Sequence, residues 1–193
     1  HVDYHWDGGN DFHNYPDKEK ELHEADLDKI YNLVAEGSWI RFDSFISPSI
    51  IRGFISEVHF YCVQDDDHDV AIDADLLNRM GTSQYIHSHA SELSNIKNKF
   101  PLIFDFCLDI FNKSNKWYQG DIWDDKEIFE LLELCKPLVK KSRDCYCIFI
   151  VWLFRFSRRY SKISRNYYSI ISALEEVIAN SSYESKTNIE TPR

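Results

Sequence analysis

The chain has 193 residues, of which 44% are hydrophobic and 15% aromatic, with 6 Gly and 5 Pro. This composition can bury a sizeable core, and the scarcity of turn-forming residues favours long helices over many short strands. The formal net charge of −10 argues against general binding to nucleic acid or to anionic lipid.

The first third of the chain predicts an irregular arm followed by two helices. Residues 1–16 mix aromatic residues, Asp, Gly and His without a helical period, which predicts an arm packed on the domain or on a partner chain. Asp17 is a good N-cap for a helix that Gly37 ends. Its one-sided apolar stripe consists of Leu27, Ile30, Tyr31 and Val34. Pro48 opens the next helix, whose apolar stripe continues to Cys62.

The rest of the chain predicts further helices. A short one spans Asp73 to Met80 and ends at Gly81, and an apolar stripe runs from Ile86 to Phe100 and includes His89. Pro101 restarts the chain as an apolar central helix. Asp124 or Asp125 caps a helix with five core positions: Ile128, Leu131, Leu132, Cys135 and Leu138. The segment from Cys145 to Phe154 is interpreted as a buried helix, although its β-branched and aromatic residues would also suit a buried strand. A last helix capped by Ser164 follows.

These elements together predict an all-α protein. We expect one compact bundle of about six to eight helices. The bundle spans residues 17–180, after the irregular aromatic arm at 1–16 and before a flexible tail at 181–193.

One arginine and histidine pair has a spacing known from catalysis. Arg52 and His59 stand seven residues apart in "RGFISEVH", so on a helix they share a face. This Arg-x-His pattern resembles the active-site motif of the HEPN ribonucleases, which are all-helical dimers. The resemblance implies metal-independent RNA cleavage with His59 as acid or base and Arg52 on the scissile phosphate. The alternative is that both side chains merely border the apolar stripe.

The positive charge is concentrated in one segment. Between Lys140 and Arg165 there are eight positive residues and one acid, Asp144, so this segment carries +7 and the rest of the chain −17. A basic stripe at helical spacing predicts a partner-binding surface made of Arg155, Arg158, Arg159, Lys162 and Arg165. It can meet the protein's own acids, an acidic partner protein, or RNA. Such charge separation also favours a homodimer.

Metal-ligating residue types occur, but their spacing predicts no metal site. His5, Asp7, Asp11 and His13 lie at irregular intervals on the arm. The acid cluster at 65–69 does not fit a calcium loop, because its sixth position is Val70 and its twelfth is Leu76. A paired-carboxylate metal site needs further ligands, so we interpret Asp105 and Asp109 as the polar edge of the central helix. We expect neither metal nor cofactor.

The cysteines and the longest apolar run bear on localisation. An odd count of 5 Cys, mostly within apolar patterns, predicts buried free thiols in a reducing compartment, so we expect a cytoplasmic protein. The run from Cys145 to Phe154 has about half of the 20 or so residues that a membrane span requires.

Since the usual enzyme motifs are absent, the favoured interpretation is a non-enzymatic, acidic helical protein of the immunity or inhibitor type. It would bind a basic protein partner, with nucleic acid the less favoured partner. Two alternatives remain open. One is the HEPN-like ribonuclease with Arg52 and His59, and the other is a small-molecule-binding helical pocket lined by aromatic side chains: Phe106, Phe149 and Trp152.

Overall fold

The computed structural model describes residues 1–35, 39–64, 71–97, 101–113 and 123–144. They form two compact units. The first unit takes in His1 and residues 3–87, and the second takes in Val2 and the described residues from Ser88 onward. Each unit is described by itself below.

A parallel three-stranded sheet contradicts the predicted all-α bundle. Its strands are β1 (Val2–Asp3), β2 (Glu57–Cys62) and β3 (Ser83–Ile86), in the order β1-β2-β3. The His1 backbone nitrogen donates to the His59 carbonyl, and the Tyr61 amide donates to the His1 carbonyl, each at 3.0 Å. This slanted pattern is that of a parallel ladder. The prediction of a purely helical fold is therefore wrong.

The predicted helix from Pro48 to Cys62 is in fact a short helix followed by a strand. Helix α3 spans Ile46–Ile51, and Gly53 then adopts a positive φ of 71°, a conformation that breaks a helix and that glycine tolerates best. In β2, buried Val58 and Phe60 alternate with partly exposed Glu57 and His59. That alternation is the period of a strand with one face in the core.

The predicted helix from Asp17 to Gly37 is two helices, α1 (Pro16–Glu24) and α2 (Leu27–Ala35). The predicted N-cap at Asp17 is wrong, because Tyr15 holds that position and Asp17 lies in the first turn. The chain turns extended at Ala25, with ψ 137°. The Asp26 carboxylate then accepts a hydrogen bond from the Lys29 amide at 2.8 Å, which satisfies one of the first amides of α2.

The short helix at 73–80 is confirmed as α4 (Ala74–Met80). Asp73 caps it by accepting from the Asp75 amide at 2.9 Å, and Gly81 ends it in the left-handed conformation. Both signals are local and readable in the sequence.

The core of the first unit lies on one face of the sheet and includes the arm. Phe60 of the central strand β2 is fully buried, together with Leu22 of α1, Ile50 of α3 and Leu76 of α4. Phe12 of the arm is buried in the same cluster. The sequence left open whether the arm packs on its own domain or on a partner chain. Phe12 shows that the arm packs on the first unit of its own chain.

The second unit has less helix than predicted before residue 124. The expected helices from Ile86 and from Pro101 are replaced by two 3₁₀ helices, Ala90–Asn95 and Leu108–Phe111. Phe106 pairs with Val2 through a parallel bridge and is fully buried.

The last described helix, α5 (Asp125–Asp144), is confirmed. Asp124 and Glu127 form a reciprocal cap, in which each backbone amide donates to the other's carboxylate at 2.8 and 2.9 Å. The predicted core positions are all buried: Ile128, Leu131, Leu132, Cys135 and Leu138. No helix among the described residues has the length and apolar character required to cross a bilayer.

Candidate functional site

Arg52 and His59 do not share a helix. Arg52 follows the last residue of α3, whereas His59 lies on β2. A guanidinium nitrogen of Arg52 donates to the carbonyls of Leu22, at 3.1 Å, and of His23. These carbonyls are at the C-terminal end of α1, where a cation is favourable. The common helical face on which the ribonuclease hypothesis depended is therefore absent, and Arg52 has a structural contact instead.

His59 belongs to a short chain of polar side chains on the sheet. Its Nε2 lies 3.0 Å from Glu57 Oε1, and its Nδ1 lies 2.9 Å from Nε2 of His87. The planes of the two imidazoles are inclined by 11°. Tyr85, which is the β3 partner of His59 in the sheet register, stacks on the His59 ring with centroids 4.7 Å apart.

These distances determine the proton positions when Glu57 is ionised. A carboxylate only accepts, so His59 Nε2 carries a proton, and neutral His59 then accepts at Nδ1 from the Nε2 proton of His87. The Glu57, His59 and His87 side chains therefore form a continuous hydrogen-bonded chain. The spacing Glu57-x-His59 was readable as one strand face, but His87 is 28 residues away and sequence periodicity does not reveal it.

An apolar face of α2 is exposed on the first unit. Leu27 is 83% exposed, Tyr31 72% and Val34 50%. These three residues, which we call the α2 stripe, lie at positions i, i+4 and i+7 and so occupy one side of the helix. The sequence predicted the one-sided pattern, but the structure shows that this side faces outward.

Two contacts fix the orientation of α2. Leu33 is buried in the core of the first unit, and Lys29 forms an ion pair with Glu21 of α1. The ammonium groups of Lys18 and Lys29 lower the pKa of Glu21 to about 2, so this carboxylate is ionised at neutral pH. Because Leu33 and Lys29 point toward the body of the unit, the α2 stripe is the side that remains outside.

Exposed acidic side chains lie next to the N-terminal end of the α2 stripe in the sequence. They are Glu24, Asp26 and Asp28. The basic residue within α2, Lys29, is already paired with Glu21. The stripe is therefore an apolar strip with negative charge at one end.

The other predicted site residues are not brought together. The basic residues Arg155, Arg158, Arg159, Lys162 and Arg165, and the aromatic residues Phe149 and Trp152, lie outside the described residues. Asp105 and Asp109 do not share a helix, because Asp105 precedes the 3₁₀ helix that contains Asp109. His89, expected on a core stripe, is exposed.

No protein-family model, curated protein or solved structure matches the chain.

Proposed function

We propose that the protein is a binding module that holds a basic partner protein against the α2 stripe. The observation that carries the proposal is the outward apolar row of Leu27, Tyr31 and Val34, with exposed Glu24, Asp26 and Asp28 beside it. An amphipathic helix that shows its apolar side to a groove is a recurrent recognition mode. The acidic residues at the N-terminal end of the stripe favour a groove with Lys or Arg at its rim.

The expected energetics are those of a small hot spot. Fully burying one large apolar side chain contributes about 1.5–3 kcal/mol, and a few such anchors dominate most interfaces. The net charge of −10 would steer a basic partner toward the protein and make its association rate fall with added salt.

The stripe variant Leu27→Gln, Tyr31→Gln, Val34→Gln tests this proposal. Glutamine keeps helix propensity while removing the apolar surface, so α2 should still form. We expect proteins captured from cell extract by the wild type to be lost with this variant. For a partner purified from that set, the Kd should rise at least about tenfold, which corresponds to about 1.4 kcal/mol.

The control is Phe129→Gln, which removes a half-exposed apolar side chain from α5. It should leave the Kd of the same partner unchanged. Equal binding by wild type and stripe variant would reject the proposal, as would binding that strengthens with salt.

Self-association is tested separately by sedimentation velocity. We propose a homodimer because the sequence separates its charges, +7 for residues 140–165 and −17 for the rest. If the stripe variant still dimerises, the α2 stripe is not the dimer interface and remains available to the partner protein. A dimer that the stripe variant abolishes would show that a second copy occupies this surface and would overturn the proposal of a basic partner.

We also propose a reducing, cytoplasmic location. Cys135 of α5 is a buried free thiol, and burial raises its pKa to about 12. A thiol that stays protonated is unreactive, and unpaired buried thiols are typical of proteins in reducing compartments.

RNA cleavage is the second candidate function, and the Glu57, His59 and His87 chain is the observation that favours it. On this hypothesis, purified protein should cleave RNA in the presence of EDTA. His59→Gln should abolish the activity, since it removes the imidazole that links Glu57 to His87. His23→Gln is the matched control, because the His23 ring contacts the Ile51 carbonyl instead. Absence of cleavage by the wild type rejects this candidate.

A further inference from the structure

A second group of polar side chains gathers in the first unit, away from the α2 stripe. The Nε2 atom of His1 lies 3.7 Å from Asp3 Oδ2 and 4.0 Å from Asp7 Oδ2. One ligand atom from each of these three residues can be chosen so that all lie within 4.8 Å of one another. The arm thus assembles one imidazole and two carboxylates from seven consecutive residues.

The three side chains are well buried. Their exposed fractions are 3% for His1, 4% for Asp3 and 14% for Asp7. Two carboxylates close together and largely removed from water repel each other, and a cation between them offsets this cost. Exposed acidic clusters lack this burial and are common without any ion.

The His5 backbone contacts both Asp3 and His1 and orients their side chains. The His5 backbone amide donates to Asp3 Oδ1 at 2.8 Å, which holds the carboxylate with its other oxygen, Oδ2, toward His1. His1 Nε2 donates to the His5 carbonyl oxygen at 3.2 Å, since a carbonyl only accepts, and an ion bound at this nitrogen would take the place of that proton. A backbone contact that orients a ligating carboxylate is the usual second layer of a metal site.

We propose that His1, Asp3 and Asp7 bind a divalent first-row cation, with Zn²⁺ as the best fit. One imidazole nitrogen and two carboxylate oxygens, with water completing the set, suit Zn²⁺, which binds such ligands at about 2.0–2.2 Å. The separations of 3.7 and 4.0 Å allow one ion to contact all three atoms after small side-chain shifts. Ca²⁺ and Mg²⁺ favour all-oxygen sites and fit less well.

Isothermal titration of tag-free protein with Zn²⁺ tests the proposal. We expect saturable binding by the wild type and at least about tenfold weaker binding by Asp7→Asn and by His1→Gln, because each loses one of three protein ligands. The wild-type Tm should rise with added Zn²⁺, and this shift should disappear in both variants.

His13→Gln is the matched control. His13 also lies beside a carboxylate, that of Asp73 at 3.1 Å, but in an exposed pair outside the group. It should retain wild-type affinity. No heat of binding by the wild type would overturn the proposal. Equal affinity in all four proteins would do so too, since the ion would then be held elsewhere. If Asp7→Asn does not fold, His1→Gln decides the result.

Discussion

Replacement of Gly8 by alanine is expected to lower the free energy of unfolding of the first unit by about 3 kcal/mol, the upper end of the usual cost of overpacking. A Cβ on Gly8 would lie 2.2 Å from the carbonyl oxygen of Ala71 and 2.8 Å from its carbonyl carbon. Both are backbone atoms and cannot rotate away. Ala71 itself holds a positive φ of 64°, which alanine adopts only when its surroundings impose it.

Denaturant unfolding of Gly8→Ala beside Gly9→Ala measures this cost. A Cβ on Gly9 would meet its nearest atom, the Ser44 Cβ, at an ordinary 3.5 Å, so that variant should change the free energy of unfolding by less than about 0.5 kcal/mol. The Gly8 carbonyl also accepts from the buried Ser47 hydroxyl at 2.9 Å, a contact that a displaced arm would lose. Equal stability of the two variants would show that the close approach of Gly8 to Ala71 is not essential.

Two of the helices, α4 and α5, could be predicted from local signals in the sequence. The Asp73 cap and Gly81 stop define α4, and the Asp124 and Glu127 cap defines the start of α5. In both cases the backbone groups at the helix end, which have no partner inside the helix, are hydrogen-bonded by residues a few positions away. A short window of sequence therefore contains the whole interaction.

The sheet could not be predicted because its signal is long-range. The segment from Ile50 to Cys62 has apolar residues at helical spacing and, in its second half, at alternating spacing. Gly53 separates the two patterns. Pairing between distant segments decides in favour of a strand. The hydrogen bond from the His1 backbone nitrogen to the His59 carbonyl joins residues 58 apart in the chain. The strands β1 and β3 are only two and four residues long. Strands this short have no distinct pattern of their own.

The two proposed binding sites also depend on contacts that the sequence does not reveal. An amphipathic pattern on α2 indicates that one side is apolar but not which side packs inward. The core position at Leu33 and the ion pair of Lys29 with Glu21 settle the orientation, and both depend on α1 and on the rest of the unit. Likewise, His1, Asp3 and Asp7 meet through the irregular backbone of the arm, which includes a positive φ of 47° at Asp7, and not through regular spacing.

Truncation of Phe60 to alanine is expected to lower the free energy of unfolding of the first unit by about 3–5 kcal/mol, as for other buried phenylalanines. Phe60 is 0% exposed and lies on the central strand of the sheet. Its ring packs edge-on against His1, with centroids 5.7 Å apart, and against Trp6, with centroids 5.8 Å apart. The cavity would therefore open between the sheet and the arm.

Urea unfolding monitored by tryptophan fluorescence measures this loss, with Phe54→Ala as the control. Phe54 is largely exposed and its ring lies 5.3 Å from the Arg52 guanidinium, so its removal should cost about 1 kcal/mol or less. A Phe60→Ala loss no larger than that of Phe54→Ala would contradict the packing described for the core. Because Phe60 supports the His1 ring, Phe60→Ala should also weaken Zn²⁺ binding in the folded protein. The α2 stripe contains neither of these two rings, so it should keep its partner affinity, and this one variant separates the two proposed sites.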